Sequence, residues 1–203
     1  MNDARFALIT ALLTATSCAP PLEADDAGID DDAMIDEMGG PQVEHTELGD
    51  DVVSTQVDAT AEGTWVYLDL DDGRQLEVAD PQADPEWDLA FQRFHIKLNG
   101  GVSGGADVQA TPVEGTTFEA LTTAPANGYL ADQADGDDDD DDPDYVLREW
   151  YDYDFMTHVL TPAAVVYVVR HGSGHTKLQL DSYYDDAGTS GFVTFRWAPL
   201  ASP

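Results

Sequence analysis

The stretch Trp87-Asp-Leu-Ala-Phe-Gln-Arg-Phe-His-Ile-Lys-Leu-Asn-Gly-Gly101 decides the fold. Its apolar side chains occupy the alternate positions 87, 89 and 91, and then the alternate positions 94, 96 and 98. Because side chains alternate between the two faces of a strand, this pattern predicts β structure, and the change of phase near Gln92 predicts a bulge or bend. Asn99 and the two glycines after it tolerate a positive φ and predict a turn. We therefore expect a long, bent, central strand over residues 87–101.

Other parts of the chain show similar strand patterns. Residues 65–70 and 74–78 flank Asp71-Asp72-Gly73, which predicts a hairpin with a tight turn. The remaining candidate strands are short alternating or apolar runs bounded by turn residues: 52–57, 108–110, 117–121, 163–169, 177–183 and 192–197. Strands at this spacing, without a convincing amphipathic helix, predict an all-β protein with a predominantly antiparallel sheet.

The central stretch also carries a likeness to a known family. Trp87-Asp-x-Ala-Phe-x-Arg93, followed by an extended segment that ends in Asn99-Gly-Gly, resembles the HmuY family of bacterial surface lipoproteins, whose founding members bind haem. The segments that look like the family's opening hairpin and closing strands are 64–67, 78–80, 167–170, 177–179 and 193–195. The resemblance covers residues 52–198. It implies a grip-shaped all-β fold over one ligand cleft, with haem or a related tetrapyrrole captured for uptake by an outer-membrane receptor.

The composition limits the possible classes of function. The chain has 203 residues, of which 42% are hydrophobic and 9% aromatic, and this suits one domain with a real core plus extensions. It carries 41 acidic and 8 basic residues, for a net charge of −33. A surface this acidic repels nucleic acid and anionic membranes, attracts cations and keeps a protein soluble. We therefore expect no nucleic-acid partner.

The N-terminus has the pattern of a bacterial lipoprotein leader. Residues 6–13 form an apolar run too short to span a bilayer, and Ala15-Thr-Ser-Cys18 after it resembles a lipobox. We predict a signal peptide over residues 1–17 and lipidation of Cys18, which would anchor the protein through lipid alone. The alternative is an ordinary secretory signal followed by a chance cysteine. Lipidation predicts a location in the bacterial cell envelope, at the outer membrane or the cell surface.

The segment after the leader is acidic and contains no Lys or Arg from Ala19 to Asp51. A chain with low hydrophobicity and uniform negative charge cannot bury enough apolar surface to become ordered. We predict a disordered tether over residues 18–51, in which His45 has no role. The folded domain is predicted over residues 52–198, with a C-terminal tail over 199–203.

A run of aspartates is a candidate calcium site. Ca²⁺ binds several carboxylate oxygens, and this run supplies them in excess. The alternating ligands and the closing glutamate of an EF-hand are absent, so a solvated, self-repelling loop is the alternative interpretation. The candidate ligands are Asp137, Asp138, Asp139, Asp140, Asp141 and Asp142.

Residues 145–160 are the most aromatic segment and supply the candidate ligand site. Haem requires an apolar, aromatic-lined slot and axial donors such as His or Met. The family resemblance implies two axial histidines, but this chain has aspartates before Trp150, and Met156 and His158 after it. We predict Met156 and His158 as axial ligands and Tyr151 and Tyr153 as pocket lining. Ordinary packing or solvent exposure of these side chains is the alternative.

The other histidines give weaker hypotheses. His171 and His175 bracket a Gly-Ser-Gly turn and could share a transition-metal ion, although polar turn residues explain the same letters. His95 is expected to face water or a neighbouring strand.

We expect a binding protein rather than an enzyme. The single cysteine is assigned to lipidation, and the glycines at 100–105 lack the lysine and the helix of a phosphate-binding loop. The leading hypothesis is capture of haem or a related tetrapyrrole. One alternative is a surface interaction or structural β module that binds no haem. Another is an acidic surface domain stabilised by calcium through its Asp-rich loop.

Overall fold

The computed structural model describes residues 41–136, 142–172 and 174–203. The predicted signal peptide, Cys18 and the first part of the predicted tether lie outside these residues. No helix long and apolar enough to cross a membrane occurs within the described ranges. The strands in chain order are β1 Val43–Gly49, β2 Val52–Asp58, β3 Val66–Leu68, β4 Gln75–Leu76, β5 Leu89–Gln92, β6 His95–Leu98, β7 Gln109–Val113, β8 Tyr151–Asp154, β9 Val159–Pro162, β10 Val166–His171, β11 Gly174–Tyr184 and β12 Ser190–Leu200.

The strands form two packed sheets and a separate hairpin, which confirms the predicted all-β fold. The larger sheet has the order β1-β2-β12-β11-β10-β7, and the smaller has the order β4-β3-β5-β6. The hairpin consists of β8 and β9. Neighbouring strands in all three are antiparallel. A turn of 3₁₀ helix, Arg148–Trp150, leads into β8.

The main core lies between the two sheets. Phe91 of β5 stacks on Phe195 of β12, with ring centroids 5.4 Å apart and planes 17° from parallel. Apolar side chains are removed from water where two such inner faces meet. Each Å² of apolar surface buried there stabilises the fold by about 25 cal/mol. Other buried members of this core are Val57, Leu68, Leu89, Ile96, Leu98, Tyr167, Val169, Leu178 and Val193.

The stretch at 87–101 forms a hairpin, so the prediction of one long bent strand is wrong. Leu89 pairs with Leu98, and Gln92 pairs with His95, across a two-residue turn. Arg93 in that turn has a φ of 52°. The change in apolar phase therefore marks a reversal of the chain, because the two halves of a hairpin restart the alternation independently.

Asn99 closes this hairpin and is completely buried. Its side-chain amide donates to the carbonyl oxygens of Asp84 and Trp87, and its Oδ1 accepts from the Ala106 N–H. The next residue, Gly100, lies so close to the Val108 carbonyl that a Cβ would overlap it. The Asn-Gly-Gly end of the motif therefore joins three loops by hydrogen bonding and close backbone approach.

The folded domain begins earlier than the sequence indicates. Residues 43–49, assigned to the tether, form β1, which pairs with β2 at the edge of the larger sheet. β1 shows one buried residue, Val43, followed by six exposed ones. Its acidic, exposed composition is why the sequence resembles a disordered segment. At the other end, β12 runs to Leu200, past the predicted boundary at 198.

His45 has a structural role, contrary to the prediction. The Trp197 indole donates to Thr55 Oγ1 at 2.8 Å. The same hydroxyl lies 2.8 Å from His45 Nδ1. The other ring nitrogen, His45 Nε2, lies 2.7 Å from the Gly73 carbonyl oxygen. A carbonyl only accepts, so Nε2 carries the proton, Nδ1 accepts, and Thr55 donates to it. This relay connects the larger sheet to the β3–β4 turn of the smaller one.

The remaining strand predictions are mostly confirmed. The predicted hairpin at 65–78 corresponds to β3 and β4, and the apolar run at 163–169 corresponds to β10, whose first four residues are buried. Residues 117–121 form a turn instead of a weak strand. Phe118 in this turn is buried against Val166 and Ala198, so its apolar character reflects a packed loop.

Replacement of Thr55 by valine tests the relay. Thr55→Val keeps the shape of the side chain but leaves the Trp197 indole and His45 Nδ1 without their shared hydroxyl. We expect it to lower the free energy of unfolding by about 1–3 kcal/mol, because the buried Trp197 indole loses its acceptor and carries its desolvation cost, whereas the exposed His45 can bind water instead. Urea unfolding followed by tryptophan fluorescence measures this. Thr55→Ser is the matched control, and an equal loss in both variants would contradict the prediction.

Candidate functional site

A surface cleft lies beside the β5–β6 turn. It has a volume of about 110 Å³ and separates this turn from the segment that precedes β8. One wall comes from the β5–β6 hairpin and the other from residues 142–148 and the first residue of β8. The lining residues are Phe94, His95, Ile96, Asp142, Pro143, Asp144, Tyr145, Arg148 and Tyr151.

Four of these side chains are rings in mutual contact. Phe94 lies 4.2 Å from His95 between ring centroids, and it meets Tyr151 edge-on at 5.8 Å. His95 meets Tyr145 edge-on at 5.9 Å. Edge-to-face contacts at these distances contribute about 0.5–1.5 kcal/mol each beyond area burial. The cleft is therefore a preformed aromatic site that contains one imidazole.

Two hydrogen-bonded clamps hold the walls together. The Trp150 indole donates to the Phe94 carbonyl oxygen at 2.8 Å. The buried Asp132 carboxylate accepts from the Leu98 N–H at 2.8 Å and from the Val146 N–H at 2.9 Å. Asp132 thus joins the end of β6 to the segment that carries Tyr145. Burial raises the pKa of Asp132, while its backbone hydrogen bonds oppose that rise.

The charges in the cleft are mixed. His95 Nε2 lies 3.6 Å from Asp142 Oδ2. Arg148 is paired with Asp144, four residues earlier, and its Nε lies 3.7 Å from Glu149. The cleft therefore contains the carboxylates of Asp142 and Asp144. The first lies close to an imidazole and the second to a guanidinium.

Lys97 supports the cleft from behind. Its Nζ lies 4.2 Å from the Trp65 ring centroid, 5.2 Å from that of Tyr67 and 5.4 Å from that of Trp87. Trp65 in turn contacts Tyr145 edge-on at 6.1 Å. Burial lowers the pKa of Lys97 to about 8, and the negative charge of Asp132 partly offsets this effect.

The structure divides the four residues predicted for the haem site into two groups. Tyr151 lines the cleft, and Tyr153 follows it on the same face of β8. Met156 and His158 lie in the turn between β8 and β9, not in a strand. Met156 is 89% exposed, and its neighbour Phe155 is 80% exposed.

His158 contacts the aromatic face of the hairpin. Its Nδ1 lies 2.5 Å from the Tyr153 hydroxyl, and its φ is 58°. Tyr153 also meets Phe155 edge-on at 5.0 Å. An aromatic face therefore continues from the cleft along β8 to the tip of the hairpin. The axial roles of Met156 and His158 remain predictions.

His95 is the residue that sequence reasoning missed. Alternation placed it on the face opposite Phe94, Ile96 and Leu98. Instead, Phe94 lies in the β5–β6 turn with its ring centroid 4.2 Å from that of His95, and both rings line the cleft. Its partners Asp142 and Tyr145 are about 50 positions away in the chain. The aromatic density of residues 145–151 was the available signal, but alternation alone did not indicate which strand they would face.

One residue of the aspartate run, Asp142, belongs to the described part of the chain. Asp137 to Asp141 lie outside the described residues, and Asp142 lies at the cleft. The predicted calcium site therefore stays a prediction. His175 contacts Tyr129 and Ser202, while His171 lies against Asp71, so different groups surround the two imidazoles proposed to share an ion.

The pentapeptide Gly101-Val-Ser-Gly-Gly105 matches the letters Gly-x-Ser-x-Gly of a hydrolase nucleophile elbow. In the elbow, the serine stands on a sharp strand-to-helix turn. Within the described residues, these five positions form bends that lead to β7, and no α-helix follows. The structural context of an elbow is therefore missing at Ser103.

The fold and the site define an antiparallel all-β domain with an aromatic surface cleft. The family model described as HmuY protein matches residues 61–197. The chain therefore belongs to the HmuY family, and the resemblance found in the sequence is confirmed.

Several solved bacterial proteins have a similar fold. A candidate lipoprotein of Bacteroides fragilis is 22% identical, with a TM-score of 0.59 over 78% of this chain and 96% of its own. An apo HmuY analog of Tannerella forsythia is 19% identical, with a TM-score of 0.57 over 76% and 95%. A candidate HmuY-like haem-binding protein of Bacteroides vulgatus is 22% identical, with a TM-score of 0.56 over 76% and 94%. No curated protein matches the chain.

Substitution of Asp132 tests the clamp that joins the cleft walls. In Asp132→Asn, the amide group must face either the Leu98 or the Val146 N–H, so one buried donor loses its acceptor. We expect the free energy of unfolding to fall by about 2–3 kcal/mol. Chemical denaturation measures this, with the exposed Asp107→Asn as the charge-matched control. A change below about 0.5 kcal/mol, as is usual for surface sites, would contradict the prediction.

The ring cage around Lys97 predicts a pH dependence. The folded-state pKa of about 8 lies below the ordinary 10.5, so the unfolded chain binds more protons between these values. The stability of the wild type relative to Lys97→Met should therefore rise from pH 8 to pH 10.5, by at most about 1.4 kcal/mol per pH unit. Ionisation of the tyrosines that do not contact Lys97 cancels in this difference, whereas the Tyr67 hydroxyl lies 3.5 Å from Lys97 Nζ, so the rise is read from the points nearest pH 8, below the range in which tyrosines ionise. Urea unfolding of both proteins at several pH values measures it, and a flat difference would show that Lys97 titrates normally.

Proposed function

We propose that this protein binds haem or a related tetrapyrrole, and that the ligand occupies the aromatic cleft and the adjoining face of the β8–β9 hairpin. The observation that carries this proposal is the convergence of Phe94, His95, Tyr145 and Tyr151 on one cleft. Flat hydrophobic ligands bind between such rings, and imidazole is a common axial donor to haem iron. Membership of the HmuY family and the haem-binding description of the Bacteroides vulgatus neighbour support it.

The lining residues have the chemical groups that bind a tetrapyrrole. The cleft offers aromatic faces, an imidazole and a guanidinium. The cleft volume of 110 Å³ is less than the roughly 300–1,000 Å³ of typical ligand pockets. A bound tetrapyrrole would therefore extend beyond the cleft. The adjoining surface is the face shared by Tyr151 and Tyr153, which continues the aromatic lining.

Three side chains are candidate axial donors. His95 lies inside the cleft, whereas His158 and Met156 lie at the tip of the hairpin. When bound, haem iron would accept a ligand atom from one or two of these residues. His95 would supply it from the more rigid element, because β6 is part of the smaller sheet. His158 and Met156 would supply it from an exposed turn.

The charges of the cleft affect how well it could bind haem. Haem propionates are anionic, and Asp142 and Asp144 line the cleft. Arg148 is the cation at this position, and its ion pair with Asp144 would have to accommodate a propionate. These carboxylates favour the second candidate function, a surface interaction or structural module with the HmuY fold that takes no haem.

A binding role fits a protein held at the cell surface. Lipidation at Cys18 would place the domain in the cell envelope, where it would capture its ligand and pass it to an outer-membrane receptor. The lipoprotein description of the Bacteroides fragilis neighbour supports this location. The role is one of binding and transfer and requires no catalytic step.

Titration of the apo-protein with hemin tests the proposal. We expect a Soret band to develop and saturate at one equivalent. His95→Ala and the double variant Met156→Ala/His158→Ala separate the two donor groups. A shifted or lost band in one of them assigns the axial ligand, because axial ligation sets the position of the band. His175→Ala is the matched control, since His175 contacts Tyr129 and Ser202 away from the lining residues.

The outcomes distinguish the two candidate functions. No spectral change at micromolar hemin would contradict haem binding and leave the non-haem module. A band that all the variants retain unchanged would also contradict the site, because it would reflect nonspecific association with apolar surface. Circular dichroism of each variant shows whether its fold is intact.

A further inference from the structure

Three potential metal ligands that the proposed function does not use meet at one point. Asp71 belongs to the β3–β4 turn, Asp88 directly precedes β5, and His171 ends β10. One ligand atom of each lies within 4.8 Å of the other two. His171 Nδ1 lies 2.9 Å from Asp71 Oδ1 and 3.7 Å from Asp88 Oδ2. Three segments that are distant in sequence thus direct an imidazole and two carboxylates at each other.

The spacing suits a divalent metal ion. Bonds of about 2.0–2.2 Å from tetrahedral Zn²⁺ to nitrogen and oxygen ligands place neighbouring ligand atoms about 3.3–3.6 Å apart. The two distances from His171 lie on either side of this range. Small side-chain rotations would therefore bring all three atoms to bonding distance from one ion.

The surrounding groups orient the ligands. His171 Nε2 lies 2.9 Å from the hydroxyl of the buried Thr176. This contact fixes the ring so that Nδ1 faces the carboxylates, as is typical of second-sphere partners of metal-bound histidines. Asp88 Oδ2 accepts from the Leu70 N–H at 2.8 Å. Two of the three ligands are thus held in place by groups that do not themselves bind an ion.

The burial of the three side chains also fits a bound ion. The side chain of His171 is 3% exposed and that of Asp88 is 9% exposed, whereas that of Asp71 is 50% exposed. Two carboxylates beside one imidazole leave an excess of negative charge at a mostly buried position. A divalent cation would compensate this charge and could enter from the side of Asp71.

We propose that Asp71, Asp88 and His171 form a binding site for a divalent transition-metal ion of the Zn²⁺ or Co²⁺ type. The imidazole selects such ions over Ca²⁺ and Mg²⁺, which require oxygen ligands. The site would tie the β3–β4 turn and the start of β5 in the smaller sheet to β10 in the larger one. It is separate from the aromatic cleft, whose lining includes none of the three residues.

Zn²⁺ titration of the full-length chain tests the site. The chain carries Cys18→Ser, so that no thiol competes for the ion, and with all other residues unchanged it serves as the wild type in this comparison. Excess Mg²⁺ occupies the acidic surface. We expect one Zn²⁺ per chain by calorimetry. The same titration followed by ¹⁵N NMR of the histidine rings should shift the Nδ1 signal of His171.

Substitutions in the β3–β4 turn provide a matched pair. Asp71→Asn removes one ligand and should weaken Zn²⁺ binding about 10-fold or more. Asp72→Asn removes the same charge one residue away, at an exposed side chain whose Oδ1 accepts from the Arg74 N–H, which an asparagine can also do. It should change the affinity less than about two-fold, since only long-range electrostatics are altered. His171→Gln should abolish binding.

Three results would overturn the proposal. They are an absence of Zn²⁺ binding to the wild type, an equal loss of affinity in Asp71→Asn and Asp72→Asn, and a His171 ring signal that Zn²⁺ leaves unchanged. Because His171 is buried, its substitution could unfold the domain. The exposed Asp71 pair and the ring signal in the wild type therefore decide the question without it.

Discussion

The cleft depends on one buried carboxylate. Asp132 accepts the N–H groups of Leu98 and Val146 and so connects the smaller sheet to a segment with little regular structure of its own. Without a shared acceptor, these two donors would be buried unpaired, and the chain from 142 to 148 would have no fixed distance from β6. The Trp150 indole, which donates to the Phe94 carbonyl oxygen, then holds the start of β8 close to the β5–β6 turn. The positions of Tyr145 and Tyr151 against His95 follow from these two clamps.

Three of the few basic residues bind groups within the fold. Lys97 stands among three aromatic rings, and Lys177 donates to the carbonyl oxygens of Phe118 at 2.6 Å and Leu121 at 2.9 Å. Arg93 donates to the Thr60 carbonyl and the Ser190 hydroxyl. Cations at such positions fix loops against the sheets. These three cations do not offset the surface carboxylates, and the net charge of −33 makes that surface strongly acidic.

The sequence allowed the all-β fold and most strands to be predicted, because period-two alternation and apolar runs are local signals. It could not distinguish a bend from a hairpin at Gln92, since both restart the alternation and Arg93 gives no sign of a positive φ. Tyr151 was predicted as pocket lining from local aromatic density, and the structure places it in the cleft. The placement of His95, and the meeting of Asp71 with His171, depend on contacts about 50 to 100 residues apart, which one sequence does not reveal.

The outer strand β1 has a consequence for association between molecules. An unpaired strand edge is a template on which a second chain can add, and exposed apolar edges promote aggregation. β1 presents Glu44 and Glu47 at one border of the larger sheet, and β7 carries Pro112 at the other. Like charges repel a copy that approaches the first border, and a proline offers no N–H at the second. Copies of this protein at high local concentration are therefore disfavoured from polymerising through the larger sheet.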